Sequence, residues 1–77
     1  MTHTSHTLTT TDAYANGFHE PMGGNRTWRV ALDAKDAAAS WKQAQSEHAH
    51  TSYYGVDYIR NMRAYWIGRR RKARSLL

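Results

Sequence analysis

Apolar and polar positions recur at helical spacing through the C-terminal third of the chain. Laid out at about 100° per residue, Tyr54, Tyr58, Ile59, Met62, Tyr65 and Trp66 fall on one side. Arg60, Arg63, Arg70 and Arg74 step by three and four along the other, with Ile67 among them. The pattern predicts a long helix over 53–74 with an aromatic face and a cationic one. Upstream, Ala34, Ala37, Ala38, Trp41 and Ala44 recur at three and four. They predict a helix over 34–48 with Asp33 as its N-cap and Asp36 favouring its positive end. Between 26 and 32 the period is two: Trp28, Val30 and Leu32 point one way, Thr27, Arg29 and Ala31 the other, as in a short strand.

The remaining segments are punctuation. Residues 1–12 are polar and low in complexity, a disordered tail. Residues 13–25 hold Gly17, Gly23, Gly24 and the chain's only proline, enough for a turn or two of helix and then loop. His50, Thr51 and Ser52 separate the helices, and Thr51 or Ser52 can cap the second. Gly55 and Gly68 each weaken that helix by roughly 1 kcal/mol relative to alanine. At Gly68 either the helix loosens into a mobile arginine tail or another element packs closely against it. The expected fold is mainly α, a short β-strand followed by two helices. Residues 1–24 are a flexible polar tail and loop, and 25–77 a small strand-helix-helix domain with a basic C-terminal end.

Composition thins the expected core. Val, Ile, Leu and Phe number nine in 77 residues, so three Trp, five Tyr and three Met must supply much of the buried area. A core assembled from Trp28, Val30, Leu32, Trp41, Tyr58, Ile59, Met62, Tyr65 and Trp66 favours a homodimer, because small domains without staples often stabilise by association. The absence of cysteine excludes disulfides and thiolate metal sites. No apolar run approaches a membrane span and no secretory leader is evident, which points to a cytoplasmic protein without a membrane partner.

Charge gives the strongest functional signal. Of eleven basic side chains, seven lie between 60 and 74 with no acid among them: Arg60, Arg63, Arg69, Arg70, Arg71, Lys72 and Arg74. A C-terminal helix dipole explains one or two cations, not such a block, which suits a polyanionic partner. Arginine outnumbers lysine eight to three, and its planar fork suits phosphates and base edges. The aromatic stripe could stack unpaired bases, although helical spacing more often marks core. His3, His6, His19, His48 and His50 assemble no convincing ligand set, so neither a metal nor another cofactor is expected. Ser40, Ser52, Glu20, Glu47 and Asp57 show no spacing suited to nucleophilic or acid–base work, and the chain reads as a non-enzyme.

The order strand, helix, turn, helix resembles the ribbon-helix-helix repressors. The resemblance rests on the alternating 27–32 stretch, its passage through Leu32 and Asp33 into a helix, and the 57–66 segment. It implies a dimeric DNA-binding transcriptional regulator whose paired strands enter the major groove. Thr27, Arg29 and Ala31 would face base edges, while Trp28, Val30 and Leu32 fill the dimer core. Amides near Thr51 and Ser52 would hold a phosphate. On this reading DNA is favoured over RNA.

A second likeness competes. Arg63 to Ala73 is similar to the Trp-x-x-Gly-x-x-x-x-Ala signature near the end of ribosome modulation factor and its phage relatives, and Ala13 to Phe18 resembles their opening helix. The segment between these pieces is longer than that family carries. This resemblance implies ribosomal RNA as the target and makes Gly68 a close-packing position. A third reading, favoured by small size, a polar tail and the lack of a motif, is a phage-type inhibitor or adaptor that binds a host protein.

Overall fold

The computed structural model describes residues 9–24, 26–47 and 55–77. They form three helices: α1 (Thr10–His19), α2 (Thr27–Glu47) and α3 (Val56–Ser75). At 1.5 Å per residue, α2 and α3 are about 30 Å long and α1 half that. The chain is mainly helical, and no strand occurs among the described residues.

The expected strand is therefore corrected. Residues 27–32 are the first turns of α2, and Asp33, expected as an N-cap, lies inside it. Alternation over six residues is too short to exclude helical periodicity. Val30 and Ala34 sit at i and i+4 and are both buried, and Arg29 Nε meets Asp33 Oδ1 at 3.4 Å across one turn. Good helix formers downstream extend the helix backwards through a segment whose own preference is weak. Without a ribbon, Thr27, Arg29 and Ala31 present no base-reading face, and Trp28 and Leu32 fill no ribbon core. Trp28 is 52% exposed and Leu32 46%.

Helix α1 begins with a cap that the sequence shows once it is sought. Thr9 Oγ1 accepts from the Asp12 amide at 3.1 Å, and Asp12 Oδ2 accepts from the Thr9 amide at 3.5 Å. This capping box satisfies two amides that the helix cannot. The helix ends at His19, where Glu20 turns to extended backbone ahead of Pro21. Helix α3 starts at Gly55 without a side-chain cap. Its first turn is supported by Asp57, which also pairs with Arg60 at 3.6 Å.

Helix α3 is the middle element: α1 and α2 each pack on it and scarcely on each other. Serving two neighbours spreads its apolar side chains thin. Among the described residues, the buried hydrophobic ones are Ala13, Val30, Ala34, Ile59 and Ala73, joined by Gly17 and Gly68. Small residues bury little area each, so close backbone approach stands in for large side chains. Trp41, Met62, Tyr65 and Trp66 are half-buried. Trp41 meets Tyr58 edge-on at 5.8 Å, and Tyr65 meets Trp66 at 5.2 Å.

The α1–α3 contact is a crossing of two glycines. A Cβ on Gly17 would overlap the Tyr65 carbonyl oxygen, and one on Gly68 would overlap that of Tyr14 and lie 3.0 Å from the Phe18 nitrogen. Of the two outcomes open at Gly68, close packing is the one found: α3 runs unbroken through it to Ser75.

Candidate nucleic-acid interface

Helix α3 divides its cations among three surroundings. Toward α1, Arg69 Nη1 donates to the Pro21 carbonyl at 3.3 Å, and Lys72 Nζ sits 5.2 Å above the Phe18 ring. Beside them the Tyr65 hydroxyl donates to Glu20 Oε1 at 3.3 Å. Burial, and then the Glu20 charge, pushes the Tyr65 phenol above its ordinary pKa, with Arg69 opposing. These groups clamp α1 and the loop after it to α3.

Toward α2, half-buried Arg63 Nη1 donates to Gln45 Oε1 at 3.2 Å and ties the two long helices together. Arg60 is engaged with Asp57 on its own helix. The third surrounding is solvent. Arg70, Arg71 and Arg74 lie along the α2-side flank of α3 and have no carboxylate partner among the described residues.

These arginines border a shallow groove between α2 and α3. One part, of about 300 Å³, is lined by Lys35, Ala38, Ala39 and Lys42 from α2 and by Arg63, Ile67 and Arg70 from α3. An adjoining part of similar volume runs past Ala38 and Ile67 to Arg71 and Arg74. Lys35 and Lys42 are seven residues apart, two helical turns or about 10.5 Å, and so are Arg63 and Arg70. The result is two cationic rims over a floor of Ala38 and Ile67, with Ala39 on the α2 rim. Ala38 keeps the groove open, since a larger side chain there would fill it.

Electrostatics sets what this groove can hold. Arg70 and Arg74 stand at i and i+4, where like charges cost a few tenths of a kcal/mol. The C-terminal dipole of α3 offsets part of this for Lys72 and Arg74. No carboxylate lines the groove, so an anion entering it relieves repulsion at both rims. The arrangement suits a run of phosphates. Among the described residues no group of three or more His, Asp or Glu could hold a metal ion.

The sequence-derived contact residues thus part company. Arg63, Arg70, Arg71 and Arg74 come together at the groove. Arg69 and Lys72 face α1, Arg60 pairs with Asp57, and Thr27, Arg29 and Ala31 lie on the opening turns of α2. Thr51 and Ser52 fall outside the described residues, as do Tyr53, Tyr54, His3, His6, His48 and His50. Lys35 and Lys42 were missed. Their signal is the seven-residue spacing with Ala38 and Ala39 between, legible only once 27–47 is taken as one helix beside α3.

No helix among the described residues is long and apolar enough to cross a membrane. Compared with protein-family models, curated proteins and solved structures, the chain shows no significant match to any of them.

Proposed function

We propose that this protein is a small RNA-binding protein that holds the phosphate backbone of structured, ribosomal-type RNA in the groove between α2 and α3. The observation that carries the reading is the pair of cationic rims, Lys35 and Lys42 facing Arg63, Arg70, Arg71 and Arg74, with no carboxylate between them. A lattice of cations that repel one another within a fold of thin core is a cost that a polyanion offsets.

RNA is favoured over DNA by two considerations. The DNA reading took its sequence reader from a ribbon, and residues 27–32 are helical instead. The segments that resemble ribosome modulation factor, 13–18 and 63–73, are the ones that cross at Gly17 and Gly68. That is the close-packing role the resemblance implies for Gly68. The long segment between those pieces holds α2, which contributes one rim of the groove.

The test is co-sedimentation with ribosomes at low and moderate salt, with and without prior nuclease treatment. Association that weakens with salt and is abolished by nuclease supports the reading. Association that survives nuclease, or absence from ribosomal fractions at every salt, refutes it.

A further inference from the structure

One stripe of α2 is exposed along much of its length. Trp28, Leu32, Lys35, Ala39 and Lys42 follow each other at intervals of four, three, four and three, so they share one side of the helix, and all five are exposed. Lys35, Ala39 and Lys42 form the outer lip of the groove. Trp28 stands at the N-terminal end of the same lip, about 10.5 Å from Lys35 along the axis. Trp28 as a residue is 52% exposed, whereas Trp41 and Trp66 are half-buried against tyrosines.

We propose that Trp28 is a stacking platform for an unpaired base of the RNA whose phosphates occupy the adjoining groove. The proposal rests on the RNA reading above and deepens it: the target is RNA with unpaired nucleotides beside a helical stem, rather than uninterrupted duplex. Charge chooses this occupant. The stripe carries two lysines and no carboxylate, so a second copy laid parallel on it would oppose Lys35 to Lys35 and Lys42 to Lys42. A nucleic-acid strand instead gives the lysines phosphates and Trp28 the face of a base. An indole stacks any base, whereas a base inside a continuous duplex is already stacked on both faces. Leu32, one turn along and 46% exposed, extends the apolar surface toward the lysines.

The experiment compares two RNA hairpins, one fully paired and one with a three-nucleotide bulge, binding the full chain at fixed salt. Wild type is expected to prefer the bulged hairpin. Trp28→Ala is expected to lose about five- to 150-fold in affinity for it, the range for one stacked base, with little change for the paired hairpin. Trp28→Phe is expected to keep most of the preference, and circular dichroism of both variants should match wild type because the side chain is exposed. Equal loss of both hairpins in Trp28→Ala, or no loss of either, overturns the proposal while leaving salt-dependent binding to stand for the groove. A fall in molecular mass in Trp28→Ala with unchanged affinity also overturns it, and assigns the stripe to a second copy. Failure of wild type to bind either hairpin overturns the groove reading as well.

Discussion

Gly17 of α1 and Gly68 of α3 meet where their helices cross, each with the other helix's backbone where a side chain would begin. Glycine inside a helix costs roughly 1 kcal/mol relative to alanine, and this fold accepts that cost twice. In return, α1 approaches close enough for Tyr65 and Arg69 to bond Glu20 and Pro21 and for Lys72 to cover Phe18.

Alanine at either position is therefore expected to destabilise despite its better helix propensity. Overpacking against backbone costs about 1–3 kcal/mol, so Gly68→Ala and Gly17→Ala should each lower Tm, by about 4–8 °C per kcal/mol of net loss in a domain of this size. Gly24, with nothing near its Cβ direction, is the control: Gly24→Ala should leave Tm almost unchanged. A rise in Tm for Gly68→Ala would mean that the helices do not cross there.

The capping box makes a second point of control over α1. Thr9→Ala removes the acceptor for the Asp12 amide, at a cost of about 0.5–2 kcal/mol. Because α1 is a ten-residue helix, too short to persist alone, the loss should appear as faster hydrogen exchange over 10–19 before exchange rises in α3. Uniform exchange changes throughout the chain would argue against separable docking of α1.

Tyr65 links this docking to pH. Its folded-state pKa is raised above 10.0 by burial and by Glu20, so the folded protein favours the protonated phenol. That preference is fully satisfied below the unfolded pKa, and stability is lost as pH rises from about 10 through the folded value. Tyr65→Phe should flatten the decline in Tm above pH 10 relative to wild type. Identical pH profiles would remove Tyr65 from the clamp.

Arg29 separates the present fold from the ribbon reading. As one partner of an exposed i, i+4 pair with Asp33 on α2, it is worth at most a few tenths of a kcal/mol. Arg29→Ala should leave stability and any preference among nucleic-acid sequences nearly unchanged. A relaxed sequence preference would restore it as a base reader.

The sequence made the helical character of 34–47 and 56–67 legible because their apolar positions keep a period near 3.6 over several turns, while past Gly68 a run of basic residues with only Ala73 among them left the helix's continuation open. It also made the arginine cluster legible, since seven cations without an acid need no fold to be noticed. The run at 27–32 misled because six alternating residues satisfy a strand, while the residues that make it helical, Ala34 to Ala39, lie beyond it. Helix α1 was legible only as a turn or two within 13–25, because its glycine reads as a breaker until Gly68 is placed opposite. The groove was half visible: Arg63, Arg70, Arg71 and Arg74 announce one rim, but Lys35 and Lys42 become a second rim only through the packing of α2 on α3.

The central claim, that both rims of the groove grip phosphates, is tested most directly by the salt dependence of RNA binding in single charge-neutralised variants. Lys35→Gln, Lys42→Gln, Arg70→Gln and Arg74→Gln should each reduce the slope of log affinity against log salt by about one, while Arg69→Gln, whose cation faces the Pro21 carbonyl, should leave the slope unchanged. Equal slopes in wild type and the four groove variants, or a loss confined to Arg69→Gln, would contradict the assignment of the interface to this groove.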